Sequence, residues 1–196
     1  TLGTFQTNII GSANLIEAVI SNQPECKFMF CSTSEVYGNI GMDERKIHTQ
    51  DLLMPSNPYG VSKAATDLYV QERFNNKFIK GYITRAFSHT GPRRGKNFSI
   101  SSDAYQIAKM KLGLQDKNLL VGNLSTTRVV MDVRDTVNAY YLAMINPEVE
   151  NEIFNICGDT PREMSYFTDK LIEISGLKDV VKKKHDPFWR PHEIHY

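Results

Sequence analysis

Helix-like and strand-like segments alternate along nearly the whole chain, and this alternation limits the possible folds more than any other feature of the sequence. Apolar side chains recur at steps of three or four in the first segment, residues 4–21: Phe5, Ile9, Ala13, Ile16 and Ile20. That period predicts a helix with one buried face. Residues 27–32 are apolar and bounded by polar residues, as in a strand that is buried on both faces. Because helices alternate with such strands, we predict an α/β fold built on a parallel sheet.

The alternation continues to residue 176. Further predicted helices cover residues 59–75, 101–113, 134–146 and 165–176. Further predicted strands cover residues 79–85, 119–121, 128–131 and 152–157. A long loop is expected after the first strand, where regular structure is interrupted by Gly38, Gly41, Pro55 and Pro58. A loop of this length can serve as a lid or face a substrate.

Composition and charge exclude several classes of protein. The 23 Lys and Arg residues against 22 Asp and Glu give a net charge of +1, which leaves no basic field for nucleic acid or an anionic membrane. No apolar run approaches the roughly 18 to 20 residues that a membrane span requires. The three cysteines show no metal-binding or disulfide spacing, so we expect a reducing cytoplasm. We interpret the charge run at residues 182–184 as a solvated face.

Two groups of residues point to chemistry. Tyr59 and Lys63 stand four residues apart in a predicted helix and so share one of its faces. A phenol is a poor base at neutral pH, and an adjacent cation lowers the cost of forming the phenolate. The pair alone is weak evidence, because a Tyr and a Lys at this spacing are common on exposed helices. Residues 32–35 end a predicted strand, which is where ligands collect in open α/β sheets.

Three successive motifs resemble those of the extended short-chain dehydrogenase/reductases: residues 8–18, 32–38 and 58–63. Within this superfamily the chain is similar to the nucleotide-sugar epimerases and dehydratases. Residues 85–95 and 121–124, followed by Arg128 and residues 132–135, look most like GDP-mannose 4,6-dehydratases and the related GDP-4-keto-6-deoxysugar reductases. The resemblance implies a Rossmann-type doubly wound parallel sheet with a small α/β substrate-binding region.

The resemblance also implies the catalytic residues. Tyr59 would be the base for the sugar 4-hydroxyl, Lys63 would hold the nicotinamide ribose and tune Tyr59, and Thr33 would hydrogen-bond the reacting hydroxyl. Thr33 and Glu35 match a Thr-x-Glu arrangement in which the carboxylate of a dehydratase takes the C5 proton. Glu35 therefore favours elimination over simple epimerisation, although related 4-keto reductases can also carry a Glu here. The alternative is a carboxylate that merely caps the next turn.

Further positions match residues that bind the cofactor or the substrate. His89 and Arg94 match cofactor contacts, and Arg128 and Arg190 match arginines that grip the nucleotide diphosphate, for which the paired donors of a guanidinium are suited. The implied cofactor is NADP, with NAD as the alternative. Without the resemblance, the same residues would be a loop histidine and surface arginines. Ser88 takes a substrate-binding position where an Asn is common, and Val129 stands where Asp is frequent, so the subclass stays open.

The Gly-rich turn that holds a cofactor pyrophosphate is not found, since none of the 12 glycines forms G-x-x-G-x-x-G. We therefore expect the N-terminal half of the Rossmann sheet to be missing from this sequence and to lie upstream. Residues 1–90 are expected to form the C-terminal part of the dinucleotide-binding domain with the catalytic residues. Residues 91–196 are expected to form a mixed substrate-binding region with returning Rossmann segments.

The function implied is nucleotide-sugar 4,6-dehydration, a lyase reaction, with GDP-mannose as substrate and GDP-4-keto-6-deoxymannose as product. The alternatives are a GDP-4-keto-6-deoxysugar reductase, a nucleotide-sugar epimerase, and a non-catalytic nucleotide-sugar-binding fragment. We expect a homo-oligomer, either a dimer or a tetramer. No metal, nucleic-acid or membrane partner is expected.

Overall fold

The computed structural model describes residues 1–40 and 45–186. By its internal contacts the chain forms two units. The first unit combines residues 1–87 with 134–157, and the second combines residues 88–133 with the described part of 158–196. The contacts break between Phe87 and Ser88, and residues 134–157, which lie within the expected 91–196 region, belong to the first unit.

Helices and strands alternate through the described residues. The helices are α1 (Leu2–Phe5), α2 (Ser12–Asn22), α3 (Pro58–Asn75), α4 (Ser99–Lys111), α5 (Val133–Ile145) and α6 (Met164–Ser175). The strands are β1 (Lys27–Thr33), β2 (Lys80–Ala86), β3 (His89–Thr90), β4 (Asn118–Val121), β5 (Thr127–Val129), β6 (Met131–Asp132), β7 (Glu152–Ile156), β8 (Pro161–Glu163) and β9 (Lys182–His185). A π-helix, Gln6–Gly11, joins α1 to α2, and a 3₁₀ helix, Ser34–Tyr37, follows β1.

The first predicted helix differs from a continuous α-helix because its middle is the π-helix Gln6–Gly11. In this wider turn the Asn8 carbonyl accepts a hydrogen bond from Thr66 Oγ1 at 2.7 Å. The Asn8 side chain also donates to Ser62 Oγ at 2.9 Å. Both partners lie on α3, so the departure from regular helix fastens the N-terminal segment to the helix that carries Tyr59 and Lys63.

A parallel sheet in the order β1-β2-β7 forms the centre of the first unit, as predicted for an α/β fold. In its register Thr33 pairs with Ala86, and Ala86 pairs with Ile156. The carboxyl ends of all three strands therefore meet at one edge. The sheet packs through a core that joins β1 and β2 to α2 and α3: Ile16, Phe30, Val70, Phe74, Ile79 and Ile83.

In its described residues, the second unit is built from short strand pairs and the helices α4 and α6. β4 pairs with β9 in parallel, β3 with β6 in parallel, and β5 with β8 antiparallel. The core of this unit joins β4 to α4 and α6: Ile107, Met110, Leu119, Val121 and Ile172. The Lys182–Lys184 run is exposed, as the interpretation of a solvated face requires, but it is also part of strand β9.

Within the part of the chain that the structure describes, no helix is long and apolar enough to cross a membrane. Across the same residues, no group of three or more His, Cys, Asp or Glu side chains is placed to hold a metal ion.

A buried carboxyl group ties α4 to α6 in the second unit. Asp103 is only 3% exposed, and Thr168 Oγ1 donates a hydrogen bond of 2.6 Å to its Oδ2. Burial raises the pKa of Asp103 from 3.8 to about 6, against the opposing effects of the Thr168 hydrogen bond and the Lys183 charge. The ionised form of this carboxyl is therefore costly at neutral pH.

We expect the Asp103 contribution to the free energy of unfolding to fall as pH rises from about 4 through about 6. Between those values the folded protein binds more protons than the unfolded protein, because the pKa of Asp103 is raised on folding. The total change is about 3 kcal/mol, from about 1.4 kcal/mol for each pH unit. Urea unfolding at a series of pH values measures it.

The matched variant is Asp103→Asn, which keeps an acceptor for Thr168 but cannot ionise. The free energy of unfolding of this variant should not show the fall between pH 4 and pH 6 that is assigned to Asp103. At pH 7 the variant should be more stable than the wild type, because it buries no ionised carboxyl group at this position. Identical pH profiles for the two proteins would contradict the assignment.

Candidate active site

The end of β1 leads directly into the first part of the site. Thr33 is buried, and its Oγ1 accepts a hydrogen bond of 3.3 Å from the Glu35 main-chain N–H. Thr33 thus caps the 3₁₀ helix Ser34–Tyr37. Because Thr33 makes the cap, the Glu35 carboxylate is left for other contacts, and the alternative of a merely capping Glu35 is not what the structure shows.

Gly38 ends this 3₁₀ helix in a conformation that only glycine adopts readily. Its φ is 63° and its ψ is −135°. A Cβ at this position would lie 1.9 Å from the Met54 carbonyl oxygen. The sequence suggested only a loop here, whereas the structure shows a close main-chain approach that fixes the exit of the turn carrying Glu35.

Asn57 connects Glu35 to the start of α3. Its Oδ1 accepts a hydrogen bond from Gly60 N at 2.8 Å, which caps the helix. Its Nδ2 donates to Glu35 Oε2 at 2.6 Å. Gly60 permits this approach, since a Cβ there would lie 2.7 Å from the Glu35 carbonyl oxygen. Sequence reasoning missed Asn57 and Gly60, although an Asn before a Pro at a helix start was an available capping signal.

Tyr59 occupies the first turn of α3 and is 46% exposed. Burial raises the pKa of the Tyr59 phenol, a hydrogen bond with Thr33 opposes that rise, and the charges of Glu35 and Cys31 add to it. The structure therefore brings three of the predicted catalytic residues, Thr33, Glu35 and Tyr59, within interaction range of one another.

Lys63 lies one helical turn after Tyr59, and its ammonium sits 4.4 Å above the centre of the Phe30 ring. Burial lowers the pKa of Lys63, while the nearby charges of Cys31 and Asp67 raise it. Lys63 is not among the described groups that shift the pKa of Tyr59. The tuning of Tyr59 by Lys63 thus stays a prediction.

A buried ion pair anchors α3 to the sheet. Arg85 Nε and Nη2 donate to the two carboxylate oxygens of Asp67 at 3.0 and 2.9 Å. Arg85 Nη1 also donates to Tyr37 Oη at 2.9 Å, and the Tyr37 hydroxyl donates to Asn155 Oδ1 at 2.7 Å. Arg85 is 2% exposed and Asp67 is fully buried. This network joins α3, the 3₁₀ helix, β2 and β7, and sequence reasoning did not identify its members as a group.

In the second unit, four of the predicted binding residues surround one cavity of about 120 Å³: Ser88, His89, Arg94 and Arg128. The Arg94 guanidinium stacks 3.9 Å from the centre of the Phe98 ring. Two guanidinium groups at one cavity suit an anionic ligand such as a diphosphate. Arg190, which is also predicted to bind the nucleotide diphosphate, lies outside the described residues.

A larger cavity of the second unit, of about 620 Å³, contains none of the predicted site residues. Its polar lining includes Lys96, Tyr105, Gln106, Asp116 and Lys184. Sequence reasoning gave no indication of this cavity, because its walls come from segments far apart along the chain.

A parallel α/β sheet, together with a Tyr and a Lys one helical turn apart beside a Thr at a strand end, defines the class of short-chain dehydrogenase/reductases. The family model described as GDP-mannose 4,6 dehydratase matches residues 1–187, and the chain belongs to that family. The resemblance inferred from the sequence motifs is thereby confirmed.

Two curated relatives illustrate the range of activities in this family. The chain is 31% identical over 175 residues to the GDP-6-deoxy-D-mannose reductase of Pseudomonas aeruginosa, covering 89% of the chain and 57% of that protein. It is 29% identical over 193 residues to GDP-mannose 4,6 dehydratase 1 of Arabidopsis thaliana, covering 94% of the chain and 51% of that protein. The chain thus spans about half the length of these relatives.

Solved structures confirm the Rossmann-type fold. RMD from Pseudomonas aeruginosa complexed with NADPH superposes with a TM-score of 0.85 at 28% identity, covering 93% of the chain and 61% of that structure. A UDP-glucuronic acid 4-epimerase from Bacillus cereus, in complex with UDP-glucuronic acid and NAD, gives a TM-score of 0.77 at 26% identity, covering 92% of the chain and 55% of that structure.

Proposed function

We propose that the protein containing this chain is a nucleotide-sugar 4,6-dehydratase that acts on GDP-mannose and yields GDP-4-keto-6-deoxymannose. The observation that carries the proposal is the placement of Glu35. Asn57 Nδ2 donates a hydrogen bond of 2.6 Å to the Glu35 carboxylate. The charge of Glu35 raises the pKa of the Tyr59 phenol. A dehydratase needs two proton-accepting groups close together, one for the C4 hydroxyl and one for C5, and Tyr59 and Glu35 supply such a pair.

The donor set of the first unit fits a nicotinamide cofactor, which we propose to be NADP, with NAD as the alternative. The half-buried Lys63 ammonium has no hydrogen-bond or ion-pair partner within residues 1–40 and 45–186, so its N–H donors are available to ribose hydroxyls. We also assign His89 and Arg94 to cofactor binding. The bound cofactor would supply a hydride acceptor that is regenerated within each turnover, which makes the net reaction a lyase reaction.

The chain's own residues then divide the proton transfers between them. Tyr59 takes the proton of the C4 hydroxyl, and Thr33 hydrogen-bonds the same hydroxyl group. A ketone at C4 acidifies the C5 proton, and Glu35 takes that proton and passes a proton to the C6 hydroxyl, which leaves as water. The hydride removed from C4 would then return to C6, and a proton from solvent would add at C5, to give the 4-keto-6-deoxy product. Arg128 and Arg190 would grip the diphosphate of the substrate through paired, charge-assisted hydrogen bonds.

The test is Glu35→Gln in the full-length protein with GDP-mannose as substrate. Glutamine preserves shape and hydrogen bonding but cannot accept the C5 proton, so oxidation at C4 should survive while elimination slows by about 10² to 10⁴. The variant should accumulate enzyme-bound reduced nicotinamide, which is measured by its absorbance. Solvent deuterium should appear at C5 of the wild-type product.

Glu25→Gln is the matched control, because the Glu25 side chain is 92% exposed and, among the described residues, contacts only Lys80, at 3.5 Å. It should behave as the wild type. Normal elimination by Glu35→Gln would overturn the assigned base.

A second candidate, a GDP-4-keto-6-deoxysugar reductase, is favoured by the 31% identity to the Pseudomonas aeruginosa reductase. This activity would use the same Tyr59 and Lys63 but would consume reduced cofactor stoichiometrically. A reductase would form no product from GDP-mannose and would oxidise reduced cofactor when given a 4-keto-6-deoxysugar. If the wild type behaves in this way, and Glu35→Gln oxidises the cofactor at the same rate, then the reductase is the correct assignment.

A further inference from the structure

Both the oxygen and the nitrogen of the Asn57 side-chain amide make hydrogen bonds. Its Oδ1 accepts the Gly60 N–H at 2.8 Å, and its Nδ2 donates to Glu35 Oε2 at 2.6 Å. The first contact belongs to helix α3, which carries Tyr59. The second reaches a carboxylate 22 residues earlier in the chain. A single side chain therefore links the helix of the phenol to the proposed base.

We propose that Asn57 is a positioning residue that holds Glu35 in the orientation needed to accept a proton, an inference that rests on the proposed dehydratase function. The short hydrogen bond fixes one carboxylate oxygen and is charge-assisted. The other oxygen, Oε1, has no hydrogen-bond partner in the described ranges 1–40 and 45–186. Asn57 thus restrains the carboxylate and leaves one oxygen available for the reaction.

The choice of amino acid supports this role. Ser, Asp and Asn cap helices about equally well, so capping alone does not require an amide. An amide is the short capping group whose acceptor and donor are different atoms. Asp would cap α3 but would present a second negative charge to Glu35. Ser would cap with a hydroxyl that is attached directly to Cβ and reaches less far.

The main chain around this link is closely packed, which makes the restraint effective. The Glu35 carbonyl oxygen lies 2.7 Å from the position that a Cβ of Gly60 would take, and Pro55 Cβ lies 3.0 Å from the same position. The start of α3 is therefore seated against the Glu35 segment. A change in the Asn57 amide would act on the carboxylate rather than on a loose loop.

The test compares Asn57→Ser and Asn57→Asp with the wild-type full-length protein in single-turnover reactions with GDP-mannose. Both variants keep a cap for α3 and lose the donor to Glu35. Elimination should slow by about 10-fold to 100-fold, the usual effect of losing a hydrogen bond to a charged group, while C4 oxidation is unchanged. A merely structural role would slow both steps together. Wild-type elimination rates in both variants would overturn the proposal.

Two further comparisons confine the effect to Glu35. Adding Asn57→Ser to Glu35→Gln should cause no additional loss, since the carboxylate that Asn57 positions is already absent. Asn76→Ser is the matched control: Asn76 Nδ2 donates to Glu72 Oε1 at 2.7 Å at the other end of α3, and its loss should leave turnover unchanged. Additive losses in the double variant would contradict positioning through Glu35.

A measurement without substrate separates this proposal from the proposed function. At one neutral pH, the Asn57 side-chain amide signals in ¹H–¹⁵N spectra should differ between the wild type and Glu35→Gln, because a carboxylate accepts a stronger hydrogen bond than an amide. The control Glu25→Gln should leave these signals unchanged. Unchanged Asn57 signals in Glu35→Gln would overturn the Asn57 proposal even if the enzyme is a reductase. Failure of the wild type to convert GDP-mannose would overturn the proposed function, and with it the proton-accepting role of Glu35, whereas the spectra would still report whether Asn57 restrains the Glu35 carboxylate.

Discussion

Replacing Tyr59 with phenylalanine in the full-length protein should lower turnover by about 10² to 10⁴. Phenylalanine keeps the ring and removes only the phenol oxygen that would accept the C4 proton. The affinity for the nucleotide sugar should change little, because the lost interaction is made mainly in the transition state. Steady-state measurement of kcat and KM with GDP-mannose tests both expectations.

Tyr69→Phe is the matched control for this variant. Tyr69 is on the same helix, and its hydroxyl donates a hydrogen bond to Glu17 on α2, away from the residues assigned to catalysis. Its turnover should equal that of the wild type. If Tyr59→Phe also kept wild-type turnover, Tyr59 would not be the base. Lys63→Ala should weaken cofactor binding as well as turnover, since Lys63 is assigned to the ribose.

The pH dependence of kcat/KM should rise toward the alkaline side. Burial raises the pKa of Tyr59 in this structure, so the phenolate is the minor form at neutral pH. A base that is mostly protonated becomes more effective as the pH increases. Tyr59→Phe should remove this alkaline rise from whatever activity remains.

Replacing Asp67 with alanine should lower the free energy of unfolding by about 3 to 5 kcal/mol, because it leaves the Arg85 charge buried without its partner. The two carboxylate oxygens of Asp67 accept both hydrogen bonds from Nε and Nη2 of Arg85, and neither side chain is more than 2% exposed. Urea unfolding followed by circular dichroism measures the loss.

Asp51→Ala provides a matched comparison. Asp51 also receives two hydrogen bonds from one arginine, Arg45, at 2.9 and 3.1 Å, but this pair lies at the surface. Because solvent screens an exposed pair, the stability of Asp51→Ala should change little. Equal losses for the two variants would show that burial does not determine the strength of the Asp67–Arg85 pair.

The sequence predicted the helices and strands of the first unit well because those signals are local. The sequence predicted a helix over residues 59–75, and α3 spans Pro58–Asn75. The predicted strand 79–85 corresponds to β2, Lys80–Ala86. Shorter elements were missed, among them β8, which is too short to show a period.

The sequence also indicated which residue types would supply the chemistry. Tyr59 and Lys63 were singled out because a helix brings residues four apart onto one face, and Thr33 and Glu35 because they end a buried strand, where sites form in parallel sheets. Their catalytic roles came from the resemblance of the motifs at residues 32–38 and 58–63 to those of the short-chain dehydrogenase/reductases. Each of these inferences depends on residues that are near one another in the chain.

Only the tertiary structure decided which side chains meet across longer separations. Asn57 reaches Glu35 over 22 residues, Arg85 reaches Asp67 over 18, and Tyr37 reaches Asn155 over 118. Periodicity carries no information about such pairs, because they depend on which strand lies beside which and on how closely the main chain can approach. The alternation of helix and strand was therefore determined by the sequence alone. The restraint on Glu35 by Asn57 and the anchoring of α3 by the Asp67–Arg85 ion pair were determined by strand order and packing.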